Sequence, residues 1–369
     1  MMMNKTLNLN VLKTAMDHAD INQAQLATEL DVSKETVLDW LQATVFPSPD
    51  KLLKLGLLLG LSFDELVKPI ASPSVPVVAF GKKGSTTATN IAHAKNLGRM
   101  LTVLVPYVPY DEFIQPATLK KPVNDYVYLQ KIVAKIRAEI GVGLTDVLDF
   151  RHLIKKFNEL QAVLIPVLWG QQENHDNALH IYLPDSMTTW IYLNLDSEIH
   201  DFKFWMAHEL GHVYAPSLTD NEAEAFADAF ATALLFPEPL AKSAYEAITQ
   251  REQIETIHQL AQQLMISPRS IYSELNKYAH YHHLPEVDLG KAMVTEQFHH
   301  PFSRLTEILF DGKTPTPVVY LKTTAQIFDT PFFETLQKYL VETKKSAGFI
   351  QNILDIPLLD AQAIYTELC

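Results

Sequence analysis

A chain of 369 residues that is 47% hydrophobic and 20% charged, with mean hydropathy near zero, has the composition of an ordinary globular protein, which excludes the disordered and fibrous classes. Its length suffices for at least two independent cores. A net charge of −13 argues against a nucleic-acid footprint over the whole molecule while leaving room for one module, and the single cysteine, Cys369, excludes an internal disulfide and makes a reducing, cytoplasmic compartment the expectation.

Residues 1–10 are polar and lack the apolar core of a signal peptide, and the most apolar run, residues 52–61, is short and interrupted by Lys54. Neither export nor membrane insertion is expected. From Leu9 to Val67 apolar residues recur at helical spacing in short segments broken by Asp20, by Asp31-Val32-Ser33 and by Phe46-Pro47-Ser48-Pro49, which predicts four or five short helices. The Pro- and Ser-rich stretch that follows predicts a linker over residues 68–80. Gly81 to Thr86 has the wrong glycine spacing for a phosphate-binding loop and reads as a plain loop.

Helical periodicity returns at residues 126–140 and 148–160. A β-rich segment at 162–169 comes next, and two β-prone runs, 179–183 and 190–195, separated by Pro184-Asp185-Ser186, predict a hairpin. Two more helices are expected over 201–213 and 221–235, the second stopped at Phe236-Pro237. Beyond Leu240 the pattern is helical almost throughout.

His208-Glu209-Leu210-Gly211-His212 is an HExxH motif. On a helix, His208 and His212 project from one face and reach a single divalent ion, while Glu209 is turned toward the neighbouring open position. A hydrolytic ion needs one more protein ligand and a water, and Glu209 is placed to take the proton of that water. With 14 histidines in the chain, accidental matches are expected on the order of 0.03 times. On the next helix Glu224 and Asp228 are again four apart: Glu224 suits the third ligand, with Glu222 as its rival, and Asp228 suits the partner that fixes a histidine tautomer. The alternating alanines from Ala223 to Ala233, together with Gly211, predict a close approach of the two helices. The plainer alternative is an amphipathic helix pair whose histidines are only packed or solvated.

Phe-Trp-Met-Ala-His-Glu-Leu-Gly-His at residues 204–212, followed by Glu-Ala-Phe-Ala-Asp-Ala-Phe-Ala-Thr-Ala-Leu-Leu-Phe-Pro at 224–237, resembles the ImmA/IrrE metallopeptidases, over roughly residues 129–275. The resemblance implies a zincin-like, zinc-dependent endopeptidase that cleaves a helix-turn-helix repressor. It assigns His208, His212 and Glu224 to the metal, with other divalent ions open, and Glu209 to base catalysis. It leaves the oxyanion-stabilising residue open among Tyr214, His175, His180 and Tyr192. His280, His282, His283, His299 and His300 lack ligand spacing and read as surface residues.

Gln23-Ala24-Gln25-Leu26-Ala27, Leu30-Asp31-Val32-Ser33, Val37, Trp40 and Pro47 resemble the XRE or Cro/CI type of DNA-binding domain across residues 9–67. The resemblance implies Ser33 as the cap of a recognition helix, with Lys34, Glu35 and Thr36, and Gln23 from the preceding helix, facing bases or phosphates. Residues 1–70 hold six lysines, no arginine and nine acids, a net of 6 − 9 = −3, so weak DNA binding, or binding as a homodimer, is expected.

The expected fold class is therefore α+β, mostly α. A helix-turn-helix domain takes residues 1–67, a linker 68–80, a metallopeptidase domain with a small β-sheet 81–275, and a helical C-terminal domain of unknown role 276–369. The leading expectation is a regulatory endopeptidase acting on a partner protein. Its rivals are a transcription regulator with a structural metal site and a sensing C-terminal region, and the toxin of a toxin-antitoxin pair.

Overall fold

Two β-strands bring the start and the end of the first helical cluster together. The structure, a computed structural model, describes residues 5–42, 45–69, 76–81, 88–110, 118–169, 178–248, 253–289 and 302–369. Residues 1–74 and 75–369 form two compact units. In the first, β1 (Lys5–Leu7) pairs antiparallel with β2 (Val67–Pro69). Between them run α1 (Leu9–His18), α2 (Gln23–Glu29), α3 (Lys34–Leu41), α4 (Pro49–Leu59) and α5 (Phe63–Leu66).

The helix limits follow from local chemistry. Asn22 and Ser62 form capping boxes, and Ser33 accepts from the Thr36 amide. Gly60, at φ +67°, ends α4 in the left-handed region where a Cβ is disfavoured. Leu12, Leu26, Val37, Trp40, Leu55 and Leu66 form the core.

The second unit contains a sheet of order β3-β5-β6-β4, built from β3 (Val77–Gly81), β4 (Val163–Val167), β5 (Ala178–Leu183) and β6 (Thr188–Asn194). The predicted hairpin is present as the antiparallel β5–β6 pair, while β4 joins β6 in parallel. The expected linker at 68–80 is shorter than its composition suggested, because strands occupy both of its ends. The loop reading at 82–86 lies outside the described residues.

Helices of this unit are α6 (Ala88–Thr102), α7 (Tyr126–Ile140), α8 (Phe150–Glu159), α9 (Ile199–Tyr214), α10 (Asp220–Leu235), α11 (Glu238–Ala247), α12 (Gln253–Leu264) and α13 (Pro268–Tyr281). Helices α14 (Leu305–Phe310), α15 (Pro317–Phe328), α16 (Phe332–Thr343), α17 (Ala347–Leu354) and α18 (Leu358–Leu368) complete it. Alternation along the strands puts His180 and Ile191 on one sheet face and Ile181, Trp190 and Tyr192 on the other. α9 packs over β3 and β5 on the His180 face.

The residues set apart by sequence as a C-terminal domain at 276–369 do not separate from the sheet. The boundary falls inside α13, and Leu305, Phe328, Phe332, Leu336 and Ile353 belong to the same core as the strands. Thr330 Oγ1 donates to the Leu164 carbonyl at 2.6 Å and Tyr320 donates to the Pro166 carbonyl, so C-terminal side chains cover the open edge of β4. An edge strand left unpaired is an aggregation hazard, and these bonds remove it. Tyr192 OH and Trp169 Nε1 donate to the Ile353 and Leu354 carbonyls at 2.8 and 2.7 Å, which ties α17 to the sheet.

Candidate metal centre

Helix α9 is buried on nearly all sides: Phe202, Trp205, Met206, Leu210 and Val213 point into the core, and His208 is buried with them. Helix α10 lies close against it, because a Cβ on Gly211 would already stand 3.0 Å from the Ala227 Cα. This contact lets donors from the two helices meet. Farther along α10, the fully buried Arg137 of α7 donates to the Leu234 carbonyl at 2.7 Å and to the Gly143 and Asp146 carbonyls, which fixes the C-terminal end of the helix. Burial lowers the Arg137 guanidinium to about 10, which leaves it charged at neutral pH.

His208, His212 and Glu224 each present a ligand atom, and these atoms lie within 4.8 Å of one another. The Nε2 atoms of the two histidines are 3.0 Å apart, and Glu224 oxygens are 3.3 Å from His208 Nε2 and 3.6 Å from His212 Nε2. With metal–nitrogen bonds of 2.0–2.1 Å, ligand atoms on a tetrahedral ion lie about 3.3 Å apart, so these separations, which reach a different Glu224 oxygen from each histidine, are of the size one small cation requires. His208 Nδ1 lies 2.9 Å from Asp228 Oδ1. In the neutral ring this contact puts the proton on Nδ1 and turns the Nε2 lone pair toward the other two donors. Lone pairs and a carboxylate so close repel one another unless a proton or a metal ion sits among them.

The electrostatics reflect that competition. Burial opposes a charge on His208, but the hydrogen bonds with Asp228 and Glu224 outweigh it and raise the ring to about 9. Burial dominates at His212, where the ring falls to about 4 beside His208 and His180, despite Glu209 and Glu224. Glu209 is 0% exposed. Burial would raise its carboxyl, but contact with His180, followed by the fields of His212 and His208, holds it below the usual carboxylate range. Among the described residues Glu209 Oε1 and His180 Nε2 have no hydrogen-bond partner, and Glu209 Oε2 has only the long 3.5 Å contact with His180 Nδ1. Each orphaned group costs about 1–3 kcal/mol, an outlay characteristic of functional sites. The cluster opens along α10, where the Glu224 and Asp228 side chains are 45% and 59% exposed.

Among the other candidates, Glu222 is exposed and stays out of the cluster. Tyr192 donates to the Ile353 carbonyl on the far face of the sheet, and Tyr214 donates to Glu139 at 3.5 Å. His175, His299 and His300 lie outside the described residues. His280, His282 and His283 are exposed, with His282 Nε2 2.7 Å from Glu238. Of the three oxyanion candidates among the described residues, His180 is the one whose side chain meets Glu209: its Nδ1 lies 3.5 Å from Glu209 Oε2. The signal for it was a polar residue inside the otherwise apolar run of β5.

In the first unit, Ser33 caps α3, and its hydroxyl lies 2.9 Å from the Thr36 hydroxyl. Gln23 Nε2 donates to the Lys34 carbonyl at 3.0 Å, which joins α2 to the start of α3. Of the five residues expected to face DNA, these three are engaged in local bonds. Lys34 and Glu35 are exposed. Lys51 is also engaged, through the Leu30 and Asp31 carbonyls.

Residues 12–66 match the family described as "Helix-turn-helix". The first unit is therefore similar to a module associated with DNA-binding regulation, in agreement with its five short helices and the capped α3. No curated protein matches the chain. No helix among the described residues is long and apolar enough to cross a membrane.

Proposed function

We propose that the second unit is a metal-dependent endopeptidase of the ImmA/IrrE type that cleaves a partner protein, a helix-turn-helix repressor by resemblance, and that the first unit brings it to DNA or to that partner. The observation that carries this reading is Glu209: a buried carboxylate lies between two histidines whose Nε2 atoms meet Glu224. A purely structural ion has no use for a base between its ligands.

His208, His212 and Glu224 would hold zinc or another divalent ion, which when bound lowers the pKa of a coordinated water and polarises the scissile carbonyl. Asp228 holds the His208 ring in the tautomer that offers Nε2. Glu209 removes the proton of the attacking water and returns it to the amide nitrogen as the C–N bond breaks. The walls formed by Trp205 and Phe204, whose rings lie 5.1 and 6.2 Å from the His208 ring, keep one side dry. The exposed Glu224 and Asp228 leave the other side open to a macromolecular chain.

The test compares wild type with Glu209→Gln in the native host by mass spectrometry of newly formed protein N-termini, with metal content measured on both purified proteins. A Glu209-dependent cut in a helix-turn-helix protein supports the peptidase. Equal N-termini with equal metal would support the second reading, a transcription regulator with a structural ion. That reading is favoured by the match of residues 12–66 to a helix-turn-helix family.

A further inference from the structure

We propose that His180 is a positioning residue for Glu209, holding its carboxylate in one orientation by donating the Nδ1 proton to Oε2. The inference rests on the peptidase reading above and adds a role that the HExxH motif does not contain. His180 Nδ1 lies 3.5 Å from Glu209 Oε2. The Nε2 atoms of the motif histidines do not serve this purpose. His208 faces Asp228 with Nδ1 and the ligand cluster with Nε2, and His212 Nε2 is turned to the same cluster. A ring that binds an ion through Nε2 has no proton there to give to a neighbouring carboxylate.

The platform that carries His180 is rigid. β5 is an inner strand, with Ala79 of β3 opposite His180 on one side and Ile191 of β6 opposite it on the other. His180 is 8% exposed, and its ring centroid lies 6.1 Å from that of His212. A buried glutamate on a helix has several rotamers open to it, and a base is effective only in the one that meets the nucleophile. A donor anchored on a central strand selects one of them, as second contacts to reactive groups do generally.

Two measurements on the full chain test this. Thermal unfolding of the metal-free protein is measured for wild type, His180→Phe, Glu209→Met and the double variant. If His180 holds Glu209, His180→Phe lowers the midpoint by several degrees when Glu209 is present and by much less when residue 209 is methionine. Equal shifts in both backgrounds would mean that His180 is packing alone and would overturn the proposal.

The other measurement follows the Glu209-dependent cut in the host at equal protein and metal content. A loss of about 10- to 100-fold is expected for His180→Phe. His180→Asn, which puts an amide N–H near the place of Nδ1, restores most of it. Failure of asparagine to restore the cut would overturn the positioning role. Coupling in the thermal cycle together with unchanged N-termini in Glu209→Gln would instead overturn the peptidase reading, and with it the catalytic purpose of the His180 contact.

Discussion

Gly211 and Ala227 meet across the α9–α10 interface so closely that a Cβ on the glycine would stand 3.0 Å from the alanine Cα, 3.3 Å from its Cβ and 3.2 Å from Phe230 Cδ1. A glycine inside a helix costs about 1 kcal/mol relative to alanine, so its place in the motif is explained by this contact and not by helix formation. Gly211→Val is expected to destabilise the second unit by about 1–3 kcal/mol, because the branched methyls must push the close-packed helices away from each other. Moving α10 outward carries Glu224 and Asp228 away from the histidines, so the metal content of the purified variant should fall together with the unfolding midpoint. A normal midpoint with full metal would contradict the packing argument.

Asp228→Asn acts on both metal affinity and folding. The carboxylate fixes the His208 tautomer at 2.9 Å but is itself 59% exposed. Loss of such a contact typically weakens metal binding 10- to 100-fold, and in the metal-free protein, where the contact holds the His208 proton, its loss is expected to cost about 1–2 kcal/mol at neutral pH. A competition titration with a zinc chelator reads the first quantity and denaturant unfolding of the metal-free protein reads the second.

Ser33 and Lys34 are expected to differ in effect although they adjoin. Ser33→Ala removes the α3 cap and should destabilise the first unit by about 1 kcal/mol, visible in chemical denaturation. Lys34→Ala leaves stability nearly unchanged. In a fluorescence anisotropy titration with duplex DNA at several salt concentrations, it should reduce the slope of log K against log salt by about one if Lys34 touches phosphate. An unchanged slope would place the contact elsewhere.

Lys203 is fully buried, with Nζ 2.6 Å from the Leu264 carbonyl. Burial lowers its ammonium from an ordinary 10.5 to about 8, with Asp149 opposing and Arg137 reinforcing the shift. Below pH 8 both folded and unfolded chains hold this proton, and the burial penalty is present in full. Between about pH 8 and 10.5 the unfolded chain holds more proton than the folded one, so this group adds stability as pH rises. The difference in unfolding free energy between wild type and Lys203→Met should therefore move in favour of wild type by about 2 kcal/mol from pH 7 to pH 10. A difference independent of pH would mean that the lysine is not titrating in this range.

What local rules govern was legible in the residues. The cap at Ser33, the β5–β6 hairpin and the four-residue spacings of His208 with His212 and of Glu224 with Asp228 depend on neighbours within one turn or one strand. The C-terminal helices were misread as a separate domain because their tie to the sheet runs through backbone carbonyls of Leu164, Pro166, Ile353 and Leu354, and every residue has a carbonyl. Glu224 was the expected third ligand and Glu222 its rival; the two differ by about 200° around α10, and the packing of that helix on Gly211 is what brings Glu224 to the histidines. His180, 28 residues before His208, was brought to Glu209 by the register of β5 between β3 and β6 and by α9 lying across that face. Spacing along a helix is a local property of the chain, whereas contact between a strand and a helix is set by the burial of a whole core, which no single segment encodes.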